Sequence, residues 1–316
     1  MKNFKLGAVS GAIQMTADAS ADINLLDPLV GTWKGTGFNQ IWRPANIKTS
    51  GGNPDPNQDR FLELNETLET LTFKRIEGVI PNRGLLQQTD INLLGISYEQ
   101  NIQDANVKDN GQNVGIHFEP GIWLSIPATH SNPIINVPTV ARMATIPHGV
   151  SIVTQGIRKD GQGGPSIKPV DITPFEIGQP DKKIHFPESI LTNQTKFRTA
   201  AKDIPHVTQA MVDNPNSVLT NAIAGKNIVK TTVYTISTQP TTPIPTGGGN
   251  SNISFLEGQN NNPNARSAQV DAIFWIEEVH EPNGKVTFLL QYTQTVLLNF
   301  NTLSWPHVSV ATLVKQ

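Results

Sequence analysis

The stretch Trp305-Pro306-His307-Val308-Ser309-Val310-Ala311-Thr312-Leu313-Val314-Lys315-Gln316 decides the fold. Its side chains alternate with a period of two, which is the pattern of a half-buried strand, and a single histidine stands at its mouth. Before it runs a long apolar strand, Val286 to Phe300, entered through the turn Pro282-Asn283-Gly284. If these two strands close an antiparallel barrel, His307 becomes an imidazole presented at the edge of an apolar cavity.

Working outward, strand patterns fall into two groups. The first spans about 29–157: Leu29 to Trp42, Arg60 to Phe73, Ile91 to Ile102, Val114 to Ile126, Thr139 to Ala144 and Val150 to Gln155. Gly51-Gly52-Asn53-Pro54, Pro81-Asn82-Arg83-Gly84 and Asp109-Asn110-Gly111 separate them as turns. The second group is Ala268 to His280, Val286 to Phe300 and Val308 to Val314. Between the groups, 158–265 reads as an insertion lying over the barrel as a lid. It holds loop sequence, one clear strand at Ile228 to Ser237, and short helices that Asn214-Pro215-Asn216 keeps apart. The expected architecture is an all-β, closed antiparallel up-and-down barrel of about ten strands. The expected organisation is an N-terminal extension at 1–28 and one barrel domain at 29–316.

Composition narrows the function classes. Charged residues make up 16% of the 316, the formal net charge is -2, and there is no cysteine. No basic footprint for nucleic acid or a membrane surface exists, and thiolate chemistry and thiolate-ligated metals are excluded. No apolar run reaches the roughly 18–20 residues of a membrane-spanning helix. Met1-Lys2-Asn3-Phe4-Lys5, a mildly apolar stretch and Ala17-Asp18-Ala19 resemble a signal peptide. Ser10, Gln14 and interspersed glycine and threonine interrupt its middle, so a cytoplasmic location is expected.

Three segments carry chemistry. In Gly31-Thr32-Trp33-Lys34-Gly35-Thr36-Gly37, Trp33, Gly35 and Gly37 share one strand face. A bulky aromatic followed by two residues without side chains opens space for a ligand; relief of strand curvature explains the same pattern equally well. In His117-Phe118-Glu119-Pro120-Gly121-Ile122-Trp123, a carboxylate two residues from an imidazole can hold one tautomer, and a polar pair capping the barrel rim is the plainer account. His148, bracketed by Pro147 and Gly149, sits on a turn that can aim it at the barrel mouth. His130, His185, His206 and His280 lie in polar surroundings and read as solvated. Zinc-hydrolase spacings, a nucleophile elbow, a P-loop and a dinucleotide fingerprint are all missing. Glu277 and Glu278 point to opposite faces of one strand and form no acid/base pair.

Taken in order, these segments resemble the nitrobindin family of heme-binding, calycin-like β-barrels. Gly31, Trp33, Gly35 and Gly37 match its G-x-W-x-G-x-G strand. Glu69 and Phe73 resemble an E-x-x-x-F strand, and Tyr98 with Gln100 an aromatic-x-Q strand. His117, Glu119, Gly121 and Trp123 match the next strand, and His307 to Leu313 the closing H-x-x-A-x-L with one residue of slack. The likeness covers about 29–157 and 267–316; the chain is about twice the family's usual size, and Ile146-Pro147-His148-Gly149 replaces a P-T-G turn. The resemblance implies heme b ligated through iron by His307, a cofactor slot shaped by Trp33, Gly35, Gly37 and Tyr98, and His117 or His148 facing the open iron position.

The activity it implies is peroxynitrite isomerisation, or weak peroxidase chemistry with His117, His148 and Glu119 handling protons. The small molecules it implies are nitric oxide, peroxynitrite or peroxide, and an apolar organic substrate held under the insertion. Two other classes stay open: a heme-free calycin barrel carrying a fatty acid or other apolar metabolite, and a barrel cyclase or dehydratase using His117 and Glu119.

Overall fold

The computed structural model describes residues 25–45, 60–131, 133–146, 149–258 and 264–316. In chain order the strands are β1 (Gly31–Pro44), β2 (Arg60–Arg75), β3 (Ile80–Asn82), β4 (Ile91–Asp109), β5 (Gln112–Ile126), β6 (Thr139–Ile146) and β7 (Val150–Gln162). There follow β8 (Phe175–Glu176), β9 (Gln179–Lys183), β10 (Ile228–Ser237), β11 (Gly249–Asn252), β12 (Arg266–His280), β13 (Val286–Phe300) and β14 (Leu303–Lys315). Short helices α1 (Gln209–Asp213), α2 (Ser217–Ile223) and α3 (Ser254–Glu257) interrupt them. None of the described helices is long and apolar enough to cross a membrane.

Ten strands close an antiparallel barrel in the order β1-β2-β4-β5-β6-β7-β10-β12-β13-β14, and β14 returns to β1. The closing seam pairs Trp33 with Lys315 at one end and Ile41 with His307 at the other. Closure leaves no free edge in the wall. Turn chemistry sets the registers. Asn110 (φ 49°) and Gly111 (φ 80°) both take left-handed backbone between Asp109 and Gln112, as a two-residue hairpin with this twist requires. Asn301 and Thr302 do the same before β14, where a β-branched residue at φ 66° is unusual.

Alternation divides the apolar residues into two cores. Odd-numbered β1 positions and their counterparts point inward: Trp33, Leu71, Tyr98, Trp123, Phe274 and Leu313 belong to the barrel interior. Trp33 plugs one end, donating from Nε1 to Leu29 O at 2.7 Å, while Leu26 and Leu29 fill the space beside it. Phe38, Trp42, Leu64, Trp305 and Val310 form a second core on the outside of the wall, packed under Ile172, Ile204, Val212 and Leu219. Each fully buried side chain of this size contributes about 1.5–3 kcal/mol.

The 158–265 segment therefore does several jobs. Its strand β10 is not part of a lid; it lies in the barrel wall between β7 and β12. Most of the remainder clads the outer surface instead of covering the opening. Gln40 Nε2 donates to Val212 O at 3.2 Å and Gln291 Nε2 to Leu219 O at 2.9 Å, tying α1 and α2 to the wall. Among its described residues, Ile253, Phe255 and Leu256 around α3, with Asn264 and Ala265, reach the barrel mouth. The physical reason is that β1, β2, β12, β13 and β14 carry large apolar residues on both faces, so their outward faces also need cover.

Candidate functional site

The end of the barrel opposite Trp33 is hollow. A cavity of about 800 Å³ opens there, with His307, His117, Asn39, Asn65, Arg43 and Glu63 among its lining residues. Ile146, Val150, Val296 and Leu298, with Ile253, Phe255 and Leu256 from around α3, supply its apolar wall. Most of the polar lining comes from β1, β2, β5 and β14, and most of the apolar lining from β6, β7, β13 and the α3 segment, with Ile41, Pro44, Ile116, Asn264 and Ser267 as exceptions. At the rim, Ile253 and Phe255 are 55% and 72% exposed, so apolar surface continues outward from the cavity. Gly149, at φ +84°, holds this rim segment. It accepts from Ile253 N at 2.9 Å, and a Cβ there would stand 2.6 Å from the isoleucine side chain.

His307 reaches the cavity because of its register. It lies opposite Ile41 on β1 and Val296 on β13, both cavity-lining, on the same strand face as Ser309, Ala311 and Leu313. His117 lines the same cavity from β5. His148 falls outside the described residues. Among the described residues no three His, Cys, Asp or Glu side chains gather to hold a bare metal ion.

Beneath the cavity floor lies a buried polar layer. Arg142, 1% exposed, is its hub. Its guanidinium donates to Tyr98 Oη at 2.7 Å, to Gln294 Oε1 at 2.7 Å, and to Glu119. Tyr98 also donates to Glu119, and His117 Nε2 lies 3.2 Å from the other carboxylate oxygen. Burial alone would raise the Glu119 pKa, but the charge of Arg142 and the hydrogen bond from His117 outweigh it and hold it at about 2. Glu119 is therefore ionised and Arg142 stays charged, its pKa raised by the same carboxylate against the desolvation of burial.

A second carboxyl, Glu69, occupies the same layer, and among the described residues no arginine or lysine pairs with it. Tyr292 Oη donates to it at 2.6 Å, Thr67 Oγ1 at 2.7 Å and Gln100 Nε2 at 3.3 Å. Burial lifts its pKa above the ordinary value, and these donors only partly offset the rise.

This layer accounts for the glycines. A Cβ on Gly37 would lie 2.7 Å from both Glu69 Oε1 and Thr67 Oγ1 and 2.4 Å from Val310 O. A Cβ on Gly121 would meet the Tyr98 ring at 2.5 Å, so the ring lies across its cross-strand glycine partner. A Cβ on Gly35 would collide with Thr312 O at 2.1 Å. These positions serve close packing of the wall and the polar layer.

The structure thus brings His307 and His117 to one cavity and joins His117 to Glu119. Trp33, Gly35, Gly37 and Tyr98 do not line that cavity: Trp33 is in the plug, Gly35 packs against the β14 backbone, and Gly37 and Tyr98 belong to the polar layer. Sequence reasoning missed Arg142, Gln294 and Tyr292. The available signal was an arginine at an inward position between Val140 and Ala144, where the alternation predicts an apolar residue.

No protein family, curated protein or solved structure was found that matches the chain.

Proposed function

We propose that this calycin-like barrel binds heme b in its open-end cavity, with His307 as the iron ligand, in the manner of the nitrobindin-like proteins its motifs resemble. One observation carries the reading: two imidazoles, His307 and His117, line one largely apolar cavity of about 800 Å³. That volume falls within the roughly 300–1,000 Å³ of small-molecule sites. The donor set fits the group, because a heme iron needs one neutral imidazole from the protein and an apolar enclosure for its macrocycle. Ile41 and Val296 would flank the ring around His307, and His117 would face the same space. When bound, such an iron supplies a coordination position for nitric oxide, peroxynitrite or peroxide.

The test is a visible absorption titration of the purified chain with hemin, alongside His307→Ala. A stoichiometric Soret band that the variant loses or shifts supports the reading; no hemin uptake by either protein ends it.

A second reading has its own support. The wall formed by Ile146, Val150, Leu256, Val296 and Leu298 would hold a fatty acid or another apolar metabolite without any histidine. Uptake of an environment-sensitive apolar fluorophore by a chain that refuses hemin, undiminished in His307→Ala, would favour it.

A further inference from the structure

We infer that His117 is a tautomer-locked proton acceptor for a cavity-bound ligand bearing an acidic hydroxyl of the phenol class, with Glu119 and Arg142 as its positioning residues. The inference rests on the reading of the open-end cavity as a ligand site, but it does not need heme.

Arg142 is buried and cannot lose its proton, and it is fixed by Tyr98, Gln294 and Glu119. Its guanidinium also lies 5.5 Å from the centres of the Tyr98 and Phe274 rings, which immobilise it further. A carboxylate held against such a cation is ionised and can only accept hydrogen bonds. The contact of 3.2 Å between His117 Nε2 and Glu119 Oε2 then has one possible sense: Nε2 carries the hydrogen and donates it.

A neutral imidazole has one N–H, so Nδ1 is left with its lone pair. Among the described residues His117 has no hydrogen-bond partner other than Glu119, and its side chain is 14% exposed on the cavity wall. This is the arrangement of an oriented base: a buried carboxylate fixes the tautomer and the opposite nitrogen faces the reactant.

The ligand class follows from the charges. An apolar wall admits a neutral molecule more readily than an anion. A neutral ligand with an acidic O–H can give its proton to Nδ1, breaking the O–H bond and forming an N–H bond. The products are an oxyanion and an imidazolium, whose new charge sits beside the Glu119 carboxylate. No oxidant or second reactant is needed.

Two measurements test it. Nitrogen-15 correlation spectra of the unliganded chain, with His117 identified by its loss in His117→Gln, should show the Nε2–H tautomer. Glu119→Gln can donate an amide hydrogen to Nε2, so the population should move toward Nδ1–H. A wild-type His117 in the Nδ1–H form overturns the inference. The second measurement binds 4-nitrophenol below its own pKa, because its neutral and ionised forms absorb differently. The ionised fraction of bound probe should exceed that in His117→Gln about tenfold, equivalent to one unit of phenol pKa. A probe that stays neutral, or that does not bind at all, refutes the proton-acceptor role. Hemin uptake by the same preparation reports separately on the heme reading, so either can fail while the other stands.

Discussion

Glu277 offers the sharpest test of how the barrel wall and its outer cladding fit together. It lies on β12, on the face opposite Phe274 and Ile276, two residues from Trp275 of the outer core, and is fully buried. Its cross-strand neighbours are Thr231 and Leu289. Neither of its carboxyl oxygens has a hydrogen-bond partner among the described residues, and Gln291 on the adjoining strand holds another unpartnered Oε1. The donors beside it are engaged elsewhere: Thr231 Oγ1 on Gly163 O, and Gln291 Nε2 on Leu219 O and Thr312 Oγ1. Burial, with no charge to oppose it, pushes the Glu277 pKa from 4.5 to about 8.

The folded chain therefore keeps a proton that the unfolded chain releases near pH 4.5, and stability falls with rising pH between those two values. Over 3.5 pH units, at 1.36 kcal/mol each, the loss is about 5 kcal/mol, of which about 3 kcal/mol is already felt at pH 7. Glu277→Gln is a neutral isostere that removes this dependence. Urea unfolding at pH 5, 7 and 8.5 should show the variant gaining on the wild type by about 3 kcal/mol at pH 7 and about 5 kcal/mol above pH 8, with convergence toward pH 4.5. Glu278→Gln, a change on the opposite face, serves as the control. Parallel stability profiles for wild type and Glu277→Gln would show that the carboxyl is hydrated or paired in solution and would refute the reasoning.

Other outcomes follow from the interior. Arg142→Met strands an ionised Glu119 in the barrel and should cost about 3–5 kcal/mol in chemical denaturation, with Glu119→Gln on the same chain recovering a substantial part. Glu119 itself has a depressed pKa, so its contribution is complete above pH 4.5 and lost as pH falls toward 2, about 3 kcal/mol in all; acid titrations of wild type against Glu119→Gln measure it. Gly37→Ala forces a methyl into Glu69, Thr67 and the Val310 carbonyl and should destabilise by about 1–3 kcal/mol, whereas Gly115→Ala, whose Cβ meets nothing within 4 Å, should change stability little in the same melts. Val296→Trp fills the cavity next to His307 and should weaken hemin or fluorophore uptake at least about tenfold, read by titration, if that cavity is the binding site.

Period-two alternation was enough to read most of the barrel. Alternation placed His307 at the mouth of the last strand and Trp33 with Gly35 and Gly37 on one face; His307 does line the cavity, and the Trp33 face does point inward. What alternation cannot give is register across strands. The meaning of Gly37 depends on Glu69 and Thr67 in the neighbouring strand, and that of Gly121 on Tyr98. Arg142 stood out as a charge at an inward position, but what it holds was not legible for the same reason, since its partners Tyr98, Glu119 and Gln294 come from three other strands. Ile228 to Ser237 was recognisable as a strand, but its seat between β7 and β12 is a long-range fact. Glu277 and Glu278 were correctly set on opposite faces. The outward face of Glu277 reads as solvent until the cladding is known, and it is the cladding that turns a surface carboxyl into a buried one.

The polar layer also bears on how a ligand site could be kept rigid in a barrel with a hollow end. An apolar floor would let side chains repack around whatever enters. Here the floor is a set of charge-assisted hydrogen bonds in which Arg142 reaches Tyr98, Glu119 and Gln294 on three separate strands. Moving any one strand breaks bonds to another, and each broken bond strands a buried charge or hydroxyl. His117 is coupled to this floor through Glu119, while His307 is fixed by its pairing between β1 and β13. The cavity thus presents one imidazole whose ring is held by Glu119, itself fixed by Arg142, and a second whose place on the wall is set by strand register. Loosening the floor should therefore disturb His117 first: Gln294→Ala is expected to broaden the His117 resonances while leaving the β1–β14 seam, followed by amide exchange at Val308 and Val310, as protected as before. Equal loss of protection along the seam would mean that the floor holds up the whole barrel and does not act selectively on the His117 side of the cavity.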